Sequence, residues 1–202
     1  MKPPHKNKIL FKVSDDYIHR LQDVDYRVQN NYHGERLYFK TNLGFETKEG
    51  VRIDYLVPLS SSKEKQKHIE NKTLFKIYGS NTHKDDFLGV LHLNNMIPVP
   101  EFETKAWSPS EPTVDERYRM LVIKQANYLR KNENQVNEDT KLLYNSKIGN
   151  VDRQFFKENR NEVMFYKRIV TNVQDLEKAC VEHICEHNIC NSEIDKHLDH
   201  EI

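Results

Sequence analysis

Glycine is scarce in this sequence, and its scarcity excludes a class of sites. Only six glycines occur among 202 residues, and none falls in the spacing of a phosphate-binding loop or a dinucleotide fingerprint. Cysteine is scarcer: all three stand after residue 179, too few to staple the body of the protein. Free thiols in a reducing, cytoplasmic setting are the simplest expectation. Long apolar runs are missing too. None approaches the roughly 20 residues that span a bilayer, and no apolar segment follows Met1-Lys-Pro-Pro-His5 as a secretion signal would require. No membrane partner is therefore expected. Net charge is the last absence: 31 Lys+Arg offset 31 Asp+Glu, so no overall positive field advertises nucleic acid.

The balance is uneven along the chain. Residues 174–202 hold eight acids against two bases, a net of −6, which leaves +6 on residues 1–173. A basic body with an acidic tail at 190–202 is compatible with gripping a polyanion on one face. No repeat and no long linker interrupts the chain, so a single domain over 1–202 is expected.

The stretch Val51-Arg-Ile-Asp-Tyr-Leu-Val-Pro-Leu-Ser-Ser-Ser-Lys63 organises the rest. Val51, Ile53, Tyr55 and Val57 alternate as in a strand, and Pro58 removes a ladder donor, marking the strand's end or an edge. Ser60, Ser61, Ser62 and Lys63 then place three hydroxyls and an ammonium where the strand meets solvent. Such a loop can hold phosphate by hydrogen bonds and charge, although a plain solvated serine loop has the same composition.

Before it, Lys8–Val13 reads as a strand, and Ser14 followed by Asp15-Asp16 as the start of a helix ending near Val28. Residues 30–34 read as a loop and Arg36–Thr41 as a strand, joined to the next across Lys48-Glu49-Gly50. Lys63–Glu70 is a short helix-competent patch. Strands are expected at Thr73–Tyr78 and Phe87–Leu93, and a short final one at Met96–Val99, confined by Pro98 to an edge. After Pro109 the pattern turns helical. Thr113-Val-Asp-Glu116 is a capping box opening a long helix. Further helices are expected over Glu138–Lys147, stopped by Gly149, within 152–168, and from Thr171-Asn-Val-Gln174 onward. That last helix would turn Val173, Leu176, Cys180 and Ile184 inward. Strands first and helices after imply an α+β fold with an antiparallel sheet and a helical C-terminal half.

Two constellations remain. Cys180, His183, Cys185, His187 and Cys190, with His197 and His200 beyond, offer soft ligands. However, Cys180, His183 and His187 share one helical face with Leu176 and Ile184, which packing explains, so no metal site and no cofactor is expected. The other histidines, His5, His19, His33, His68, His83 and His92, are scattered. If RNA is cut, the positive and polar groups must come from elsewhere, and Tyr32, Arg36, Ser60, Ser61 and Lys63 are the candidates, one cluster on each side of a predicted hairpin.

At these residues the chain resembles a known family, the endoribonuclease toxins of type III toxin–antitoxin systems (ToxN, CptN, TenpN and AbiQ). The ordered series Tyr17-Ile-x-x-Leu21, Tyr32-x-x-x-Arg36, Tyr55-Leu-Val-Pro-Leu-Ser-Ser-x-Lys63, Leu88-Gly-Val-Leu-x-Leu93, Met96-Ile-Pro98 and Tyr118-x-x-Leu121 leading into Lys124-Gln125-x-x-x-x-Arg130 carries the match over about residues 8–180. A family member has Thr-Ser-Pro-Lys at Ser60–Lys63, lysine at Arg36, and a tyrosine near Ile123. The resemblance implies a compact, strongly twisted, barrel-like sheet of the MazF/Kid kind flanked by helices. It implies metal-independent RNA cleavage through the 2′-OH, leaving a 2′,3′-cyclic phosphate. Ser61, Ser60, Lys63, Arg36 and Tyr32 are the expected catalytic residues, with Tyr118, Arg119, Lys124 and Lys65 as RNA contacts. It also implies a small structured RNA antitoxin, a pseudoknot from tandem repeats, that the toxin processes and that holds it in a closed protein–RNA assembly. Cellular or phage RNA would be the substrate. A non-catalytic RNA-binding module, or a metal-binding interaction protein built on the Cys/His tail, are the alternatives from other classes.

Overall fold

Strand β3 (Arg52–Ser61) is the spine of the molecule, and its residues are buried almost continuously from Ile53 to Leu59. Such burial follows from cover on both faces. The computed structural model describes residues 8–48, 50–79, 86–110 and 115–198, with side chains described through residue 187. Along one side of β3 runs β2 (Tyr38–Glu46), which pairs on with β1 (Leu10–Val13) and then β7 (Thr104–Ala106). Along the other side β6 (Ile97–Pro100) covers the first half of β3, and β5 (Phe87–His92) with β4 (Leu74–Tyr78) extends its second half. Every pairing is antiparallel. The path has two ends, β4 and β7, so the pairing is that of an open sheet.

Pro58 does not end the strand. Leu59 N–H donates to Leu37 O toward β2, so by alternation the nitrogen of Pro58 faces the opposite side. There the partner changes, from Leu56↔Ile97 in β6 to Leu59↔Leu91 in β5. The missing donor falls at the seam between two partners, where it costs no ladder bond. Pro98 behaves as expected: β6 pairs with β3 alone. It is not the final strand, because β7 follows.

Helix α1 (Asp15–Val24) starts as expected, with the Ser14 hydroxyl accepting from Tyr17 N–H at 3.4 Å. It ends before Val28, because Asp25 leaves the helix to accept from the N–H groups of Arg27 at 2.9 Å and Asn172 at 2.6 Å. Val28 is buried after that turn. The Thr47 N–H bond to Val51 O closes the β2–β3 hairpin; Glu49 of the expected turn lies outside the described residues. The short α2 (Glu64–Lys67) follows β3.

The long helix α3 (Glu116–Lys131) is capped by Asp115, whose carboxylate accepts from Tyr118 N–H at 3.1 Å; Thr113 of the expected capping box is outside the described residues. Helix α4 (Glu133–Ile148) begins earlier than expected, directly after α3, since Asn132 ends one helix and starts the next. Gly149 stops it in a left-handed conformation. Residues 152–168 form two helices, α5 (Arg153–Glu158) and α6 (Arg160–Ile169), split at Asn159. In α7 (Val173–Leu198) the Thr171 hydroxyl does not cap the helix; it donates to Met96 O at 2.7 Å, and Asn172 O accepts the first helical bonds.

Two cores result. Leu37, Phe39, Tyr55, Val57 and Leu59 pack with residues of α3, α4 and α6. Tyr38 and Leu56 pack on the other side with Tyr17, Ile18 and Leu21 of α1 and Leu176, Cys180 and Ile184 of α7. Among the described residues no helix is long and apolar enough to cross a membrane.

Candidate active site

Where β3 ends, the sheet opens into a cavity of about 220 Å³. Tyr32, Arg36, Ser60, Ser61 and Lys63 all line it, together with Tyr118 of α3. The five residues singled out as a catalytic cluster in sequence therefore converge in space.

Arg36 is the fixed centre. Its side chain is drawn under the loop, with the residue 8 % exposed. Nε donates to Asn30 O at 2.6 Å, and Nη1 donates to Leu59 O at 3.2 Å and Ser60 Oγ at 3.0 Å. For Nη2 no partner is present among the described residues, so one edge of the fork is left for an acceptor. The guanidinium also lies 4.8 Å from the Tyr32 ring centroid. Tyr32 and His33 both have positive φ, 51° and 57°, a conformation that is costly for non-glycine residues. Asn31 anchors the strained turn, donating to Val13 O at 2.9 Å and accepting from the Tyr38 hydroxyl at 3.2 Å.

Ser60 and Ser61 are adjacent in a strand and so point to opposite faces. Ser60 meets Arg36, whereas Ser61 stands opposite Gly89, against which Gln125 of α3 packs. Both reach the cavity because it sits at the strand's end. Gln125 is buried and donates to Leu88 O at 3.0 Å, in the space that the missing side chain of Gly89 provides. A Cβ on Gly89 would come within 2.4 Å of Ser60 O and 2.7 Å of Gln125 Nε2. Gly89→Ala should therefore destabilise the protein by about 1–3 kcal/mol, as overpacking does, and displace the serines. Unchanged thermal stability and RNA cleavage would count against this placement. Lys63 is held by its main chain, its N–H donating to the buried Gln66 side chain at 2.8 Å.

The electrostatics are positive and donor-rich. Burial first, then the cations of Arg36 and Lys63, push the pKa of His92 down to about 4. This histidine, unassigned by sequence reasoning, is neutral at physiological pH. Burial holds the Tyr118 phenol above its ordinary pKa, with Glu35 adding to the shift and Lys12 opposing it.

The remaining expected RNA contacts are spread out. Lys124 is exposed on α3 and lines an adjacent cavity. Arg119 is bound to Glu116 at 2.9 Å and lines neither cavity. Lys65 is exposed on α2, also outside both. Ile123 lies in a separate apolar cavity with Trp107, so the site's helix-borne hydroxyl is that of Tyr118. Sequence reasoning missed Glu35 and Gln125; the spacing of Tyr118, Leu121 and Gln125 along one helix stripe was the available signal for the latter.

A larger cleft of about 530 Å³ is lined by Lys8, Lys40, Asp54, Glu101, Arg130 and Glu133 among others. Its charges are mixed, and Asp54 already pairs with Lys40 at 2.5 Å and Arg52 at 2.9 Å. It is the weaker phosphate site. On α7, His183 bonds Glu103 at 2.6 Å and His187 stacks on Phe102 with centroids 4.2 Å apart, while Cys180 is buried. Among the described residues no three His, Cys, Asp or Glu side chains gather as a metal site. The side chains of Cys190 and His197, and all of His200, lie outside the described residues, as do His5 and His83.

Residues 9–180 match the family model described as toxin ToxN, type III toxin–antitoxin system. The endoribonuclease ToxN of Bacillus thuringiensis subsp. kurstaki is 28 % identical over 172 residues, covering 85 % of this chain and 81 % of the relative. A solved bacterial type III toxin, one selectively inhibited by a non-coding RNA pseudoknot, superposes with a TM-score of 0.69 at 28 % identity, covering 88 % of this chain and 98 % of that one. The fold is also similar to that of AbiQ, a lactococcal anti-phage endoribonuclease, with a TM-score of 0.66, 20 % identity, and 87 % and 96 % of the two chains covered.

Proposed function

The chain belongs to the ToxN family of type III toxin–antitoxin toxins, and from that premise we propose that it is an endoribonuclease toxin cutting RNA without a metal ion. The observation that carries this reading is the convergence of Arg36, Lys63, Ser60, Ser61 and Tyr118 on one small cavity, with Nη2 of Arg36 directed to no described partner. RNA supplies its own nucleophile. Its 2′-oxygen attacks the adjacent phosphorus, the bond to the 5′-oxygen breaks, and the proton lost from the 2′-OH is balanced by one gained at the leaving oxygen. A 2′,3′-cyclic phosphate and a 5′-OH result, and no water is consumed. The protein's task is to stabilise the extra charge of the phosphorane with preorganised donors. Arg36 and Lys63 supply the charge and the serine hydroxyls supply hydrogen bonds. Tyr118, held protonated, and Lys63 are donors available to the leaving oxygen.

The donor set fits this chemistry better than metal catalysis. Hard divalent cations are held by several oxygen ligands, carboxylates above all. Among the described residues the cavity lining has one carboxylate, Glu35, and it is paired with Lys12 at 3.1 Å. Cleavage should therefore persist in EDTA and leave cyclic phosphate ends. Activity that vanishes with chelator and returns with Mg²⁺ would overturn the mechanism.

The biological setting follows from the family. The partner is a small RNA antitoxin, a pseudoknot that the toxin frees from a repeat-containing precursor and that then occupies the site in a closed protein–RNA assembly. The targets are cellular or phage RNA in the cytoplasm, and the outcome is defence against phage. Expressed alone, the protein should arrest bacterial growth, and Ser61→Ala should relieve the arrest, since loss of one preorganised donor costs about 10²–10³ in rate. Ser61 ends its strand and is exposed, so the fold should survive. Full toxicity of folded Ser61→Ala would favour a module that binds RNA without cutting it.

A further inference from the structure

Helix α3 presents two neighbouring stripes to solvent, and the proposed chemistry uses only one. Tyr118, Leu121 and Gln125 line the phosphate cavity. Arg117, Met120, Leu121 and Lys124 line a second cavity of about 350 Å³, together with Leu88 and with Glu116, whose carboxylate is paired with Arg119 at 2.9 Å. The two cavities share Leu121 as their dividing ridge. They also adjoin through the sheet: Leu88 directly precedes Gly89, the register partner of Ser61, and the Leu88 carbonyl accepts from Gln125. One residue of strand thus separates the two.

We propose that this second cavity is a nucleobase slot, which takes a base flanking the scissile phosphate and so contributes to the choice of cleavage sequence. The proposal rests on the nuclease reading. Its lining is chemically divided. Leu88, Met120 and Leu121 form an apolar floor, and Met120 is 46 % exposed although large and apolar. A polarizable thioether packs well against an aromatic ring, and every base offers such a ring in single-stranded RNA. Arg117 and Lys124 stand one turn on either side of Met120, suited to the phosphates that flank a seated base. An apolar floor, two cationic flanks beside a carboxylate already paired with Arg119, and a shared wall with a phosphate pocket together fit a nucleotide.

The test uses the full chain and a short RNA whose cut site has been mapped with the wild type. Single abasic nucleotides are placed at each position beside the cut. For the wild type, one such substitution should slow cleavage about tenfold, the order of one lost base stack. Met120→Ala should slow cleavage of the intact RNA by a similar factor, chiefly through KM. The abasic substitution should then slow Met120→Ala no further, and Leu88→Ala should show the same non-additivity. Met120→Ala that cleaves intact RNA like the wild type, or effects that multiply independently at every position, would overturn the slot. Failure of the underlying chemistry looks different: product ends without a cyclic phosphate, with the non-additivity preserved, overturn the phosphate mechanism and leave the slot standing. Met120 is exposed, so an unchanged melting temperature is expected and separates binding from folding.

Discussion

Arg36→Ala should abolish toxicity and lower RNA cleavage by about 10²–10³-fold or more, the scale on which one preorganised charged donor contributes. The expectation exceeds that for any serine because Arg36 acts twice. Its Nη2 edge offers hydrogen bonds and charge to the phosphorane, while Nε and Nη1 fix Asn30 O, Leu59 O and Ser60 Oγ. Removing it leaves those acceptors without their donor and frees the loop that presents Tyr32. A buried acceptor left unpaired costs about 1–3 kcal/mol, so some loss of thermal stability should accompany the loss of activity. Arg36→Lys separates the roles. An ammonium restores a point charge but cannot bond the serine, the strand and a phosphate oxygen in one plane. Partial recovery of kcat is expected, well short of the wild type. The decisive measurement is single-turnover cleavage alongside thermal denaturation. Wild-type cleavage by a folded Arg36→Ala protein would remove Arg36 from the site, and with it the reading of the cavity.

Much of this was legible before the structure, and the remainder was not for identifiable physical reasons. Tyr32, Arg36, Ser60, Ser61 and Lys63 were recognisable because phosphate chemistry restricts residue types and because they stand at the ends of strands. Their convergence follows from Leu37 pairing with Leu59, which sets Arg36 beside Ser60. The split of the two serines between faces also follows from period-2 geometry. Continuation of β3 through Pro58 was hidden, because the proline rule assumes an uninterrupted neighbour and here the neighbour changes at that residue. Strand β7 is three residues, Thr104–Ala106, too short to show a period. Asn132 and Asn159 each serve two helices at once, a junction that polar composition alone reads as one helix or as a loop. Leu88 matters through its contact with Gln125 of α3, a helix-to-sheet contact that no local pattern around Leu88 announces.

A chain ending before Val173 should fail to fold, whereas one ending after Cys190 should keep its activity. The first removes Val173 from the first core and Leu176, Cys180 and Ile184 from the second, each at most 1 % exposed. Burying one large aliphatic side chain contributes about 1.5–3 kcal/mol, so the loss is comparable with the roughly 5–15 kcal/mol that holds a typical domain. Polar losses add to it. The Tyr55 and Tyr144 hydroxyls both donate to Glu177 Oε1, at 2.5 and 2.9 Å, and Tyr55 is buried in the middle of β3. Without α7 that phenol faces the core unpaired. Truncation after residue 190 touches none of this. The outermost described contacts of α7 are Glu186 with Arg20 at 2.5 Å and His187 on Phe102, both retained. The segment that is lost carries much of the tail's negative charge, which repels an RNA backbone rather than gripping it. Circular dichroism, thermal melts and cleavage of one RNA on both truncations make the comparison. A cooperative melt from the chain that stops before Val173 would refute the role given to α7. Stoichiometric zinc in the full chain, lost together with activity on Cys185→Ser or Cys190→Ser, would show that the tail acts through metal rather than packing.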